Sequence, residues 1–115
     1  MVALSRNVSR KHAMEMLLSG DMIDSDRAQQ MGLINKAFDG DELTEQTMAL
    51  ANKIASKSSM TVAVGKRAFY AQAEMPLADA YAYTSQVMTN NMLTADAEEG
   101  IDAFLSKRSP QWNDQ

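Results

Sequence analysis

The sequence contains no cysteine among its 115 residues, which excludes a disulfide framework, a Cys-x-x-Cys redox motif and a zinc site built from thiolates. Its only histidine, His12, has no cysteine with which to share a metal, so we expect no metal site and interpret His12 as a surface helix residue. Basic residues are outnumbered, because 11 lysines and arginines against 15 aspartates and glutamates leave a net charge of −4. This balance argues against nucleic-acid binding and against a polybasic membrane-surface module.

Long apolar runs are absent as well. No segment approaches membrane-spanning length, and the first residues lack the apolar stretch of a secretion signal. We therefore expect a cytoplasmic protein that does not bind membranes. Apolar residues make up 45% of the chain and charged residues 23%, which is typical of a folded globular chain and not of a disordered one.

Helix-breaking residues are few, with two prolines and five glycines, so the composition favours a mostly helical protein. Asp24 is suited to cap a helix, and Gly32 is suited to end it in a left-handed conformation. Apolar spacing and such signals predict helices over about 8–18, 25–31, 41–57 and 60–73, a further helix with Pro76 as its first residue, and a last one capped by Thr94.

One short strand is predicted over 33–38, between Gly32 and a turn at 39–41. A single strand of this length needs a partner strand, so it suggests an incomplete domain. We divide the chain into a helix-turn-helix-strand segment over 1–38, a helical region over 39–109 and a loose tail over 110–115.

The last predicted helix carries the most distinctive group of side chains, in which Phe104 lies near Lys107 and Arg108. An aromatic face can stack on a nucleotide base, and a lysine can reach a phosphate as a point charge. The alternative is that Phe104 is a core residue and the two cations offset the negative end of the helix dipole. On spacing alone the structural interpretation is favoured.

Carboxylate pairs occur at Asp41/Glu42 and at Glu98/Glu99, both near predicted helix starts. General acid–base catalysis needs a carboxyl group held in a cleft with a shifted pKa, and nothing in the pattern indicates this. We interpret both pairs as capping and dipole charges. No residue of the chain is predicted to be catalytic.

Several short segments along the chain form a recognisable series. They are Leu4-Ser5-Arg6, 13–21, Ile23, Ala28, Gly32-Leu33-Ile34-Asn35, 51–54, 66–70, Leu93-Thr94 and 99–108. In this order they resemble the enoyl-CoA hydratase/isomerase (crotonase) family over nearly the whole sequence. The departures from the family pattern are small, with Ser9 in place of the usual glycine and Ser25 in place of the usual alanine.

The resemblance implies the helical C-terminal part of a crotonase-like (ClpP/crotonase spiral) fold. A complete family member is more than twice as long, and its N-terminal half carries the spiral of strands, the oxyanion-hole donors and the catalytic carboxylates. Whether this chain is itself an enzyme is left open, and we expect it to be inactive alone. In the complete protein the implied reaction is hydration of a 2-enoyl-CoA, although isomerases and other enzymes of acyl-CoA and fatty-acid metabolism share the scaffold.

The resemblance also assigns a ligand and a partner. It implies that Phe104 and Lys107 bind coenzyme A, contacting its adenine and phosphates, and that the CoA belongs to the acyl-CoA thioester substrate and is not a separate cofactor. It also implies that the helical region over 39–109 is an oligomerisation region, in which the helices over 41–91 would form contacts in a homo-oligomer, a trimer or hexamer. The alternative hypothesis is a standalone, non-catalytic helical assembly or interaction module.

Overall fold

The computed structural model describes residues 1–114 and shows seven helices within them. In chain order these are α1 (Val2–Asn7), α2 (Arg10–Ser19), α3 (Ser25–Gln30), α4 (Leu43–Ala55), α5 (Ser59–Gln72), α6 (Leu77–Met92) and α7 (Ala95–Leu105). The predicted helices are therefore confirmed to within a few residues, and α1 is an addition that the sequence pattern did not indicate. None of the helices in this described part is long and apolar enough to cross a membrane.

The chain divides into two compact units, a first unit over Met1–Thr47 and a second unit from Met48 onward. In the first unit, side chains cap the helices as the sequence predicts: the Asp24 carboxylate accepts a hydrogen bond from the Arg27 backbone N–H at 2.7 Å. Gly32 follows α3 with φ of 78°, the left-handed conformation expected for a helix stop. The buried apolar residues of this unit are Val8, Ala13, Ala28 and Met31.

The strand predicted over 33–38 is wrong, because the structure contains no strand in residues 1–114. The backbone N–H groups of this segment bond back to α3 and not to a neighbouring strand. Leu33 donates to the Ala28 carbonyl at 2.9 Å, and Ala37 donates to the Gln29 side-chain oxygen at 2.6 Å. Because these donors are satisfied by the preceding helix, the segment forms bends and irregular coil.

The second unit is held together by small side chains. Helix α5 packs mainly on α6, and α6 contacts α7. The buried apolar residues of the unit are three alanines, Ala68, Ala80 and Ala103. Alanine allows helix backbones to approach closely but contributes little apolar area to a core.

Many of the larger apolar side chains are exposed. Helices α4 and α6 carry several of them: Leu50 and Ile54 on α4, and Tyr81 and Met88 on α6, each expose more than half of their surface. Burying a side chain of this size is worth about 1.5–3 kcal/mol relative to leaving it in water. The two helices therefore present uncovered apolar surface that a further protein segment could bury.

Candidate functional site

The last helix, α7, has one buried side and one exposed side. The Thr94 hydroxyl caps its start by accepting from the Ala97 N–H at 3.2 Å, as the sequence predicts. Asp96 and Ala103 are buried, with 1% and 2% of their surface exposed. Phe104, in contrast, is 82% exposed. The interpretation of Phe104 as a core residue is therefore wrong for the described chain, and its ring is available to a ligand or to another protein surface.

Directly after α7 the chain reverses at Lys107. The Lys107 backbone has φ of 52°, in the left-handed region where glycine is the usual residue at a helix end. The Arg108 N–H closes the reversal by donating to the Ala103 carbonyl at 3.0 Å. A residue with a side chain pays roughly 1–2 kcal/mol for this conformation. The reversal thus places an exposed cation where a glycine would fold more easily.

The two cations after Phe104 differ in what they contact. Arg108 forms a bidentate pair with Glu99, from Nη1 to Oε1 at 2.6 Å and from Nη2 to Oε2 at 2.8 Å, and its Nη2 also contacts Asp102. Lys107 makes no ion pair with any residue of 1–114. Of the two, Lys107 is the one left available for an anionic ligand.

Glu99 is strongly stabilised as a carboxylate. The Arg108 guanidinium, hydrogen-bonded to both carboxylate oxygens, and the Gln111 N–H, donating at 2.6 Å, together lower the pKa of Glu99 from its ordinary value of 4.5 to about 2. The same pairing raises the pKa of Arg108 above its ordinary value. The pair is therefore charged at all physiological pH values.

Residues 111–114, which we call the C-terminal strap, run back along α7 toward its start. The Asn113 and Asp114 N–H groups both donate to Asp96 Oδ1, at 2.8 and 3.1 Å. The Asp114 carboxylate then accepts from the Ser59 N–H at 2.9 Å, at the first turn of α5, and these contacts lower the pKa of Asp114. The sequence led us to expect a loose tail over 110–115, whereas its described part is held at several points; residue 115 lies outside the described residues.

Trp112 fixes the middle of the strap. Its indole N–H donates to the Ser56 carbonyl at 2.8 Å, and its ring lies over Gly100. A Cβ added at Gly100 would lie 3.4 Å from two ring carbons, so this glycine leaves the space that the ring occupies. The signal for this contact was present in the sequence as a glycine inside the last helix and the chain's single tryptophan, but their proximity in space is not readable from spacing.

A cavity of about 640 Å³ opens between α5, the end of α6, and α7. Its lining is mostly apolar and includes Phe104, Ile101, Val62 and the Trp112 ring. Asp96 also borders it, and the second carboxylate oxygen of Asp96 is buried without a hydrogen-bond partner. An open apolar groove beside an exposed aromatic ring suits a planar, largely apolar group of a ligand.

Other chemistry has little support in the described residues. Residues 1–114 contain no group of three or more histidine and acidic side chains able to hold a metal ion. His12, the one histidine, lies half-buried in α2, and its Nδ1 is buried without a partner. The carboxylates at the start of α7 serve structure, since Asp96 and Glu99 both hold the strap.

Acidification is expected to loosen the strap. Because the folded pKa of Glu99 lies below its unfolded value, its ion pair stabilises the fold above pH about 4.5, and this contribution is lost as the pH falls toward about 2. Fluorescence of Trp112, the only tryptophan, should therefore change over this range. The pKa of Asp114 is also lowered in the fold, so the contribution of Glu99 is isolated by comparing variants.

Glu99→Gln should remove part of this acid transition, because a neutral amide cannot titrate or pair with Arg108. Glu98→Gln is the matched control, since Glu98 is the exposed neighbour in the same helix. An acid transition of equal size in Glu99→Gln and in the unchanged protein would contradict the role given to Glu99.

Comparisons with known proteins show the family to which the chain belongs. The family model described as Enoyl-CoA hydratase/isomerase matches residues 1–115. The chain belongs to the enoyl-CoA hydratase/isomerase family. The human protein named Enoyl-CoA hydratase domain-containing protein 3, mitochondrial, is 47% identical over 112 residues, which are 97% of this chain and 37% of that protein. The 2,3-dehydroadipyl-CoA hydratase of Escherichia coli K12 is 37% identical over 109 residues, which are 95% of this chain and 43% of that protein.

Solved structures place the chain in the same family fold. The crystal structure of human enoyl Coenzyme A hydratase domain-containing protein 3 matches with a TM-score of 0.92 and 48% identity, over 96% of this chain and 44% of that one. An enoyl-CoA hydratase from Mycobacterium smegmatis matches with a TM-score of 0.92 and 43% identity, over 96% of this chain and 43% of that one. The chain thus spans less than half the length of these enoyl-CoA hydratase relatives. The predicted fold class, the helical part of a crotonase-like fold, is confirmed apart from its strand.

Proposed function

We propose that this chain is the C-terminal portion of an enoyl-CoA hydratase/isomerase-type enzyme that acts on acyl-CoA thioesters. In the complete protein the reaction would be hydration of a 2-enoyl-CoA, and this portion would supply part of the CoA site together with oligomer contacts. The observation that carries the proposal is the exposed Phe104 ring followed by Lys107, which has no ion pair within residues 1–114, in a chain whose whole length matches the family.

Phe104 and Lys107 have complementary chemistry for coenzyme A. The exposed Phe104 ring borders an apolar groove, and such a ring can stack on the adenine. Lys107 carries three N–H donors on a flexible stem that can reach a phosphate. Arg108 is not part of the proposed contact, because its guanidinium is committed to Glu99 and Asp102.

The proposed role in a homo-oligomer, a trimer or hexamer, is supported by surface area. The accessible surface of the chain is 9370 Å². A monomeric folded protein of 12.7 kDa exposes only about 6,200 Å². In the proposed complete protein this excess surface would be shared between the rest of the protein and neighbouring copies, and the exposed apolar faces of α4 and α6 would provide residues for the oligomer contacts.

The catalytic groups of the proposed reaction are sought outside this chain. Stabilising an enolate needs preorganised donors, and hydration needs a carboxylate that activates water. We assign none of residues 1–114 to either task. We propose no separate cofactor, because the CoA belongs to the substrate. Relatives from human and Dictyostelium discoideum are named as mitochondrial, so the expectation of a cytoplasmic location gains no support from these names.

Replacing Phe104 or Lys107 by alanine should weaken binding of a CoA thioester about tenfold each, with a smaller change in kcat. Loss of a charge-assisted phosphate contact, or of an aromatic stacking contact, is worth about 1–2 kcal/mol. The measurement is calorimetric titration with free coenzyme A and steady-state kinetics, on the protein at its native length.

Phe69→Ala and Lys66→Ala are the matched controls. They remove an exposed aromatic ring and an exposed cation from α5, away from the groove beside Phe104. These controls should leave the dissociation constant unchanged. Equal CoA binding in the two α7 variants and the unchanged protein would refute the proposed site.

The second candidate, a standalone helical assembly module, is favoured by the uncovered apolar faces alone. The intact mass of the protein from its source cells separates the two. A mass of about twice 12.7 kDa or more supports the enzyme portion. A mass of 12.7 kDa, together with a defined oligomer in light scattering and no CoA binding, supports the module.

A further inference from the structure

Arg108, the residue that follows Lys107, is held by hydrogen bonds from both its backbone and its side chain. The Arg108 backbone N–H bonds to the Ala103 carbonyl at 3.0 Å, and its side chain reaches back to two carboxylates on α7. Glu99, one of these carboxylates, is mostly buried, with 19% of its side-chain surface exposed. Both ends of Arg108 are therefore tied to the same helix.

This anchoring acts on the left-handed backbone of Lys107. A residue with a side chain persists in that conformation only where its surroundings impose it. On one side the Lys107 N–H donates to the Phe104 carbonyl at 3.2 Å, and on the other side Arg108 is fixed. Together these bonds set the direction in which the exposed Lys107 side chain leaves the end of α7.

The strap supports the same pair from outside. The Gln111 N–H donates to Glu99 Oε1, the oxygen that also accepts from Arg108 Nη1. Glu99 therefore joins the reversal at 107 to the strap that follows it. A change in the Arg108–Glu99 pair should be detected at Trp112, one residue beyond Gln111.

We propose that Arg108 and Glu99 are positioning residues, which fix the chain reversal so that Lys107 is presented to an anionic group of the ligand beside Phe104. The inference rests on the proposed function, since it assumes that Lys107 contacts the phosphates of coenzyme A. Arg108 does not touch the ligand itself. Arg108 keeps the chain reversal ordered in the free protein, so that the ligand does not have to order it on binding.

The test is a double-mutant cycle between Arg108 and Lys107, in the protein at its native length, with free coenzyme A as the probe. Arg108→Gln should raise the dissociation constant roughly two- to tenfold, the range expected when one side chain must be ordered on binding. In the Lys107→Ala background the same change should have almost no effect, because Arg108 acts only through Lys107. Trp112 fluorescence reports whether the strap has loosened.

Arg67→Gln is the control for loss of a positive charge, since Arg67 is an exposed cation on α5. If Arg108→Gln does not fold, Glu99→Gln takes its place in the cycle, because it breaks the same pair and preserves side-chain volume. Circular dichroism establishes that each variant is folded.

The outcomes separate the two levels of the proposal. An effect of Arg108→Gln that disappears with Lys107→Ala supports positioning. An equal effect of Arg108→Gln in both backgrounds overturns positioning. If Lys107→Ala weakens binding and Arg108→Gln does not, positioning is also overturned, but the proposed function stands. Unchanged binding in every variant overturns both.

Discussion

Replacing Asp96 by alanine is expected to lower the free energy of unfolding of the second unit by about 3 kcal/mol. The carboxylate is almost fully buried and accepts the N–H groups of Asn113 and Asp114. A hydrogen bond to a charged group contributes about 1.5–3 kcal/mol, and the alanine removes two of them. Urea unfolding followed by circular dichroism and by Trp112 fluorescence gives the value.

Asp96→Asn is the informative control. It preserves an acceptor at the position of Oδ1 and removes the charge, so its cost should be near 1 kcal/mol. Trp112 should become more exposed in the alanine variant and much less so in the asparagine variant. Equal and small losses in both variants would show that the strap contributes little to stability.

Replacing Trp112 by alanine is expected to cost about 2 kcal/mol. A fully buried tryptophan costs about 3–5 kcal/mol when it is truncated, and the ring of Trp112 is only partly buried, so a lower value applies. The loss combines packing over Gly100 with the hydrogen bond to the Ser56 carbonyl. Because no tryptophan remains, thermal unfolding is followed by circular dichroism.

Trp112→Phe separates the two contributions. It retains a smaller aromatic ring beside Gly100 and removes the indole N–H, so about 1 kcal/mol of the loss should remain. A phenylalanine variant as unstable as the alanine variant would mean that the hydrogen bond, and not the ring contact, holds the strap. An unchanged alanine variant would contradict the structural role of Trp112 altogether.

Local signals in the sequence were sufficient to predict most of the helices. Asp24 and Thr94 each cap the helix that follows, as their side-chain oxygens and their positions before apolar periodic segments indicate. A cap is satisfied within three residues of the chain, so its energetics are local and can be inferred from spacing.

The prediction of a strand over 33–38 was wrong because strand formation is not a local property. Its residues have the pattern of a strand, but strand formation depends on a partner that spacing cannot reveal. In the described chain the donors of Leu33 and Ala37 are satisfied by α3, so the local helix end determines the conformation. Pattern alone could not distinguish an extended segment from a strand.

The binding of CoA by Phe104 and Lys107 stays a prediction, which the family resemblance supplied. The strap beside them was not predicted, because it depends on contacts between distant residues. Trp112 bonds to a carbonyl 56 residues earlier, and Asp114 bonds to an N–H 55 residues earlier. Such pairs have no spacing rule, so the strap could only be found in the structure.

The alanine contacts of the second unit have a calorimetric consequence. The heat-capacity change of unfolding grows with the apolar surface that becomes exposed, as does the sensitivity of stability to denaturant. Ala68, Ala80 and Ala103 hide little such surface, while the larger apolar side chains of α4 and α6 are already hydrated in the folded chain. The stability of this unit by itself should therefore vary only weakly with temperature, and most of its temperature dependence would be gained when a further surface covers those two helices.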